Sequence, residues 1–315
     1  MYEVIDVTES VKVLRAPVNV VFFFKSTLGK SECLVIDSGS SNEYGKKILK
    51  YLESQGVNRF SILNSHSHAD HIGGNSFLQE RTKCKIYATY FESVFIEHPQ
   101  LEPMYLWGGP IFEGIDNKFL MAKSSIVTDI VEYGWSSELD VEIIPLKGHS
   151  FNMVGVLIDD GKKRVLFVAD AVVSMQTIEK YKVYFLYDVH EHLKTLQGLN
   201  KWAENVDVVV PSHGEIFDFS KEDDGENKKR EFLNLIKGNE KVIEDVLGLI
   251  LGILVEPKTI DEILSEVAAN FLIPIDATSY VLLLQTLKAY CSYLVNVNEI
   301  GLTFERGKLE YIRMH

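Results

Sequence analysis

Asn64-Ser65-His66-Ser67-His68-Ala69-Asp70-His71-Ile72-Gly73-Gly74 follows directly on the β-prone run Arg59–Leu63, and its reading decides the fold. Three imidazoles and one carboxylate fall between His66 and His71. Four such groups cannot be a core packing pattern, because each would need a polar partner within one small volume. Imidazole with carboxylate is the donor set of borderline divalent cations, zinc foremost, with iron and manganese as the other candidates. A loop at a strand end lets the four side chains converge, and Gly73 and Gly74 permit a tight turn into the next helix.

Outward from this loop the chain alternates strands and helices. β-prone runs cover Tyr2–Val7, Val11–Leu14, Asn19–Phe24 and Glu32–Ser38 before it. After it come Lys85–Ala88, Ile126–Glu132, Val141–Pro145, Val154–Ile158, Arg164–Ala169 and Val206–Val210. Helical spacing appears at Asn42–Ser54, with Asn42 as N-cap, and near Asn75–Glu80, Thr89–Glu97 and Val189–Glu204. Many strands with interspersed helices predict an α/β or α+β sandwich. The stretch from about His98 to Gly134 breaks the rhythm with prolines and Gly108-Gly109. It reads as an insertion with a helix near Asp116–Lys123, and Trp107 with its aromatic neighbours points to a packed lid or contact surface.

A boundary falls near Ser220. The charged run Lys221–Arg230 opens a linker segment, 221–255, that continues as a helix from Glu231 to Leu254. In residues 256–315, Thr259 and Glu262 form a capping-box pattern ahead of a helix ending at Phe271. A second helix over Thr278–Val295 and a hairpin of Ile300–Arg306 with Leu309–Met314 complete a winged-helix-like module.

Four further residues each sit just after an apolar run: Asp37, His149, Asp170 and His213. With the His66–His71 string these make five motifs in an order that resembles the metallo-β-lactamase superfamily over about residues 1–220. The resemblance implies an αββα sandwich as the catalytic domain. It implies that His66, His68 and His149 hold one metal, that Asp70, His71 and His213 hold a second, and that Asp170 bridges them. Asp37 would orient a ligand or the Asp70 loop through hydrogen bonds, and Asp70 and Asp170 would carry the catalysis. Histidine at position 68, where the family's di-iron oxygen reductases typically carry glutamate, places the chain nearer the hydrolytic branch. Two cations about 3.5–4 Å apart would activate water near neutral pH. The activity implied is hydrolysis of a small ester, thioester or lactone, as in the glyoxalase II-like branch. The alternatives are a phosphodiesterase or endoribonuclease of the same fold and a sulfur dioxygenase using one iron.

Charge ranks these readings. The 315 residues hold 32 Lys plus Arg against 45 Asp plus Glu, a net charge of −13. Residues 256–315 carry five basic and eight acidic groups, and the expected second helix of that module is mostly apolar. Neither part offers the basic face that nucleic acid or anionic lipid would need. A small-molecule substrate is therefore expected, with homodimerisation through the C-terminal module or the 98–134 insertion as a further possibility. The apolar run Leu247–Val255 is about half the ~20 residues of a membrane span. The N-terminus lacks a basic region ahead of an apolar one, and Cys33, Cys84 and Cys291 form no close pair. A cytoplasmic location with reduced thiols is the expectation. His190 and His192 fall on different faces of a helix and read as capping or surface residues, with substrate contact as the alternative. The aromatic run Tyr181–Tyr187 reads as pocket lining or a buried strand. His98 and His315 receive no role.

Overall fold

The computed structural model describes residues 2–27, 30–305 and 307–314. Arg306, expected at a strand end, and His315 lie outside the described residues. Four strands open the chain in antiparallel succession: β1 (Glu3–Asp6), β2 (Val11–Arg15), β3 (Val20–Thr27) and β4 (Lys30–Ile36). Helix α1 (Asn42–Ser54) crosses back to β5 (Arg59–Leu63). The single turn α2 (Ala69–Ile72) and α3 (Asn75–Thr82) then lead to β6 (Lys85–Ala88). After α4 (Tyr90–Glu97) and α5 (Leu101–Trp107), β7 (Asp129–Ile130) completes a seven-stranded sheet in chain order. In that sheet β4 to β7 run parallel.

The second sheet holds β8 (Gly134–Ser136), β9 (Val141–Pro145), β10 (Val154–Asp159), β11 (Arg164–Ala169), β12 (Val208–Pro211) and β13 (Phe217–Asp218), again in sequence order. Helices α6 (Met175–Tyr181) and α7 (Val189–Trp202) connect β11 to β12, which are parallel neighbours. The chain continues with α8 (Gly225–Ile253), α9 (Ile260–Phe271), α10 (Ala277–Asn296) and the hairpin β14 (Ile300–Glu305) and β15 (Lys308–Arg313).

Period-two alternation explains the layering. In β3, Val21 and Phe23 face the second sheet with Leu34 and Ile36 of β4. Val20, Phe22, Cys33 and Val35 point the other way, onto Ile48 and Leu52 of α1 and Leu78 of α3. Both faces of these strands are buried, which is why they read as continuous apolar runs. Leu196 and Leu199 of α7 and Phe232 and Ile236 of α8 share the core of the second sheet. The result is the helix–sheet–sheet–helix sandwich that the motif order implied. Among the described residues no helix is long and apolar enough to cross a membrane.

Several expectations are corrected. The N-cap of α1 is Ser41, because Asn42 is already helical. Asp116–Lys123 forms turns rather than a helix. Asn117 ties them by accepting from the Phe119 N–H (3.0 Å) and donating to the Gly114 carbonyl (3.1 Å). Within the insertion the helix is α5. The expected strand Ile126–Glu132 shrinks to Asp129–Ile130, since side chains take the backbone donors before it: Gln79 accepts from Ile126 N and Glu97 from Val127 N. The linker Lys221–Arg230 becomes helical at Gly225, so α8 is one continuous rod. Tyr181–Tyr187 is no strand, because the N–H groups of Tyr187 and Asp188 both bond the Gly148 carbonyl (2.9 Å) and fold the segment onto the His149 loop.

The insertion does not project into solvent as a whole. Leu106, Ile115 and Leu120 are buried against Val281 of α10, and Asn117 donates to Thr278 across this contact (3.0 Å). Trp107 stays partly exposed, with its ring edge-on to Phe112. The capping box of Thr259 and Glu262 forms as its spacing predicts.

Candidate metal centre

The site lies where strand ends of the two sheets meet. β4 leads to Asp37, β5 to the His66–His71 loop, the β9–β10 turn carries His149, β11 leads to Asp170 and β12 to His213. Two of these turns use left-handed backbone at a residue other than glycine: Asp37 at φ 61° and Ala169 at φ 48°. Aspartate tolerates that region, whereas alanine adopts it at a cost of about 1–2 kcal/mol. At Ala169 the pairing of β11 with β12 also shifts register, and the combined bulge aims Asp170 out of the sheet and into the site. Gly148, at φ 118°, has no room for a side chain, since a Cβ would lie 2.3 Å from the backbone nitrogen of His192. Helix α7 thus seats directly against the His149 turn.

Hydrogen bonds fix how the imidazoles face. His149 Nδ1 lies 3.1 Å from the Phe185 carbonyl and His213 Nδ1 lies 2.7 Å from the Pro17 carbonyl. His71 Nδ1 lies 2.9 Å from Asp37 Oδ2. The same carboxylate oxygen accepts from the Ser65 hydroxyl (2.8 Å), leaving that hydroxyl to accept from His66 Nδ1 (3.0 Å). A carbonyl or carboxylate partner keeps a proton on Nδ1, so all four rings turn Nε2 inward as the nitrogen a cation would meet. His68 is reversed and presents Nδ1, 3.1 Å from His66 Nε2 and 3.0 Å from His149 Nε2.

Three groups of donor atoms result, each with its atoms within 4.8 Å of one another: His66, His68 and His149; His66, His71 and Asp170; Asp70, His71 and His213. All seven ligand positions named from sequence therefore meet in one place. Asp170 lies between the groups, with Oδ1 3.5 Å from His71 Nε2 and Oδ2 3.4 Å from His149 Nε2 and 3.6 Å from His213 Nε2. Asp70 Oδ2 is 3.6 Å from His71 Nε2 and 3.4 Å from His213 Nε2.

Divalent cations fit this donor set. His71 Nε2 and Asp170 Oδ1 are buried without a hydrogen-bond partner, a state that costs free energy unless something else meets them. Electrostatics divides the site in two. Burial pushes His68 down to about 4 and His149 to about 3, and it holds His66 well below its ordinary range, so these three rings are neutral at pH 7. On the other side burial opposes charge as well, but the carboxylates prevail. Asp170 and Asp70 push His213 up to about 10 and hold His71 well above its ordinary value, while Asp170 itself is held low by His213 and His71.

Two carboxylates that the sequence did not flag complete the surroundings. Glu92, in the first turn of α4, is fully buried and accepts four hydrogen bonds. They come from Ser67 N (2.9 Å), Ser67 Oγ (2.7 Å), Ser150 Oγ (2.7 Å) and Asn152 N (2.8 Å). It clamps the His66–His68 loop to the His149 loop. A carboxylate one turn before Ile96, on the buried side of an apolar helix, was the available signal. Glu102 of α5 lies 3.7 Å from His68 Nε2, and burial together with the Glu92 charge pushes it up to about 8.

His192 departs from its expected capping or surface role. It is fully buried with neither ring nitrogen partnered, its ring sits beside Tyr184, and burial pushes it down to about 3. Asp188 caps α7 instead, accepting from Glu191 N (3.0 Å). His190 is exposed and stacks on Tyr293.

Residues 14–213 match the sequence model of the metallo-beta-lactamase superfamily. A hydroxyacylglutathione hydrolase of Nitrobacter hamburgensis is 27% identical over 128 residues, covering 41% of this chain and 40% of that protein. A protein of the same name from Thiobacillus denitrificans is 47% identical over 38 residues, covering 12% of this chain and 15% of that protein. The chain thus spans less than half the length of these curated relatives. Among solved structures, a beta-lactamase domain protein from Burkholderia ambifaria superposes with a TM-score of 0.70 at 15% identity, covering 99% of this chain and 94% of that one. A metallo-beta-lactamase family protein from Thermus thermophilus gives 0.69 at 16% identity, covering 98% and 100%. At these identities the two structures speak for the fold alone.

Proposed function

Because the chain belongs to the metallo-β-lactamase superfamily, we propose that it is a dinuclear metal-dependent hydrolase, zinc being the metal, that cleaves a small ester, thioester or lactone. The observation that carries this reading is the meeting of seven donor side chains around the buried, unpartnered Asp170 Oδ1 and His71 Nε2. His66, His68 and His149 would hold one cation and Asp70, His71 and His213 the other, with Asp170 shared. When bound, the pair would supply Lewis acidity for the substrate oxygen and acidify water for attack.

The chain's own residues then have definite tasks. Asp37 holds the proton on His71 Nδ1 and, through Ser65, on His66 Nδ1, so Nε2 is the nitrogen that each ring offers a cation. Glu92 keeps the two histidine loops in register. Asp70, the most exposed carboxylate of the cluster, is placed to orient water and to pass a proton towards a leaving group. The C-terminal unit, which we read as winged-helix-like, holds five basic against eight acidic residues, which supports a small molecule rather than nucleic acid as the substrate.

Metal analysis of the purified protein should find close to two zinc ions per chain. Parallel assays on a thioester, a lactone and a bis-aryl phosphodiester should show turnover of the first or second above the third. Asp170→Asn should abolish both metal retention and turnover. One iron per chain, with oxygen consumed on a persulfide, would overturn the hydrolase reading.

A further inference from the structure

A cleft of about 130 Å³ opens over the donor cluster. Its floor is made by the predicted ligands, and its wall by five side chains from three segments remote in sequence: Glu102, Phe119 and Leu120 of the insertion, Phe185 of the segment after α6, and Leu282 of α10. Ligand sites for drug-sized molecules are usually about 300–1,000 Å³, so this one takes a small group. Four of the five wall residues are apolar. The fifth is a carboxyl, and no Lys or Arg is among the described residues that line the cleft.

The wall is prebuilt. Leu106, Ile115 and Leu120 pack with Val281 into a core cluster separate from that of the sandwich, and Phe185 and Leu282 pack against it. Thr278 at the start of α10 donates to the Gly114 carbonyl (3.2 Å) and accepts from Asn117 (3.0 Å). The insertion and the C-terminal helix therefore pack as one body placed over the donor cluster.

We propose that this cleft is a subsite for a compact, apolar, uncharged group adjoining the scissile bond, and that α10 of the C-terminal region supplies part of it within the same chain. The proposal deepens the hydrolase reading above and rests on it, since a bond must be cleaved for a group to adjoin it. Its physical basis is desolvation. A carboxylate or phosphate pressed against Leu120, Phe185 and Leu282 would lose water and meet no cation from the wall. An alkyl or aryl group loses nothing by the same transfer and gains contact.

The test uses matched pairs that differ in one terminal charge. The metal-loaded protein would be given 4-nitrophenyl butyrate and the 4-nitrophenyl monoester of succinate. Calorimetry would compare the uncleaved amides N-phenylbutyramide and N-phenylsuccinamate. The expected result is a preference of about tenfold or more for the neutral member, in kcat/KM and in Kd. Leu282→Arg should narrow both ratios by placing a cation in the wall. Phe119→Arg, at a position 75% exposed, carries the same test if the first variant does not fold. Equal or tighter binding of the anion by the unaltered protein would overturn the proposal, as would ratios that neither variant moves. Neutral-selective amide binding with no turnover of ester, thioester or lactone would leave the subsite standing and bring down the hydrolase reading instead.

Discussion

Asp37 and Glu92 are both fully buried carboxylates behind the histidine cluster, but they act on different parts of it. Asp37 acts on rings and on one loop donor, the Ser65 backbone N–H, which lies 2.8 Å from its Oδ1. It holds His71 directly and His66 through Ser65, so it reaches both halves of the centre. Glu92 touches no ring: it joins the N–H and hydroxyl of Ser67 to the Ser150 hydroxyl and the Asn152 N–H, and every ligand beside those anchors belongs to the three-histidine half. Rings need a partner that sets proton position, whereas loops need one that sets distance.

The largest expected effect comes from removing either group outright. Asp37→Ala and Glu92→Ala each leave several buried donors unpaired, and each should lower unfolding free energy by about 3 kcal/mol or more, read from urea denaturation of the metal-free protein. The conservative variants separate the roles. Asp37→Asn replaces one acceptor oxygen by an N–H donor facing His71 or Ser65, and should weaken retention of both cations by about 10–100-fold. Glu92→Gln should weaken only one, leaving a chain that keeps a single metal through chelator competition. Loss of both cations in the Glu92→Gln protein, or of neither, would break the distinction between rings and loops.

The two halves also differ in what a cation must displace. His68 and His149, at about 4 and about 3, are already neutral at pH 7 to 8, so their half should bind metal with little proton release. His213, raised from 6.5 to about 10, is charged across that range in the metal-free chain and must give up its proton. Its folded value lies above the unfolded one. Its contribution to the stability of the metal-free protein is therefore complete below about pH 6.5 and lost as pH rises through about 10. Metal affinity of that half should rise with pH over the same interval while the other half stays flat. Titration calorimetry in buffers of different ionisation enthalpy would check this, and equal proton release for the two equivalents would contradict it.

The same contrast shows what was legible in the sequence. The ring-holding side of the centre was readable because each of its residues closes an apolar strand run: Asp37 after β4, His66–His71 after β5, Asp170 after β11, His213 after β12. The strands themselves announced their places by alternation and apolar runs. The loop-holding side was not readable. Glu92 lies 25 residues from Ser67 and 58 from Ser150, and its helix reads as an ordinary amphipathic one. Glu102 and the cleft wall were hidden for a related reason. Asp116–Lys123 has helical composition, but Asn117 commits its backbone to turns, and the apolar residues it exposes are then covered by a helix some 160 positions away. Local pattern fixes local structure only until a distant partner offers a better use for the same groups.

The smallest expected effect tests the strand-end turns that both halves depend on. Asp37 and Ala169 share the left-handed backbone, and at Asp37 the side chain itself explains why the strain is tolerated. Ala169 has no such side chain. It is fully buried, so its methyl group has been kept where glycine would relax the backbone. Ala169→Gly exchanges relief of about 1 kcal/mol against a similar gain in unfolded-chain entropy, and stability should move by less than about 1 kcal/mol. Ala169→Val adds branching where the backbone is least tolerant of it and volume where the core has none to spare, and should cost about 2 kcal/mol or more. Denaturation of the two metal-free variants measures both. Metal retention then tells whether Asp170 still reaches the cluster, since a chain that relaxes at residue 169 but keeps both cations would show that the bulge alone aims Asp170 and that the left-handed turn is incidental.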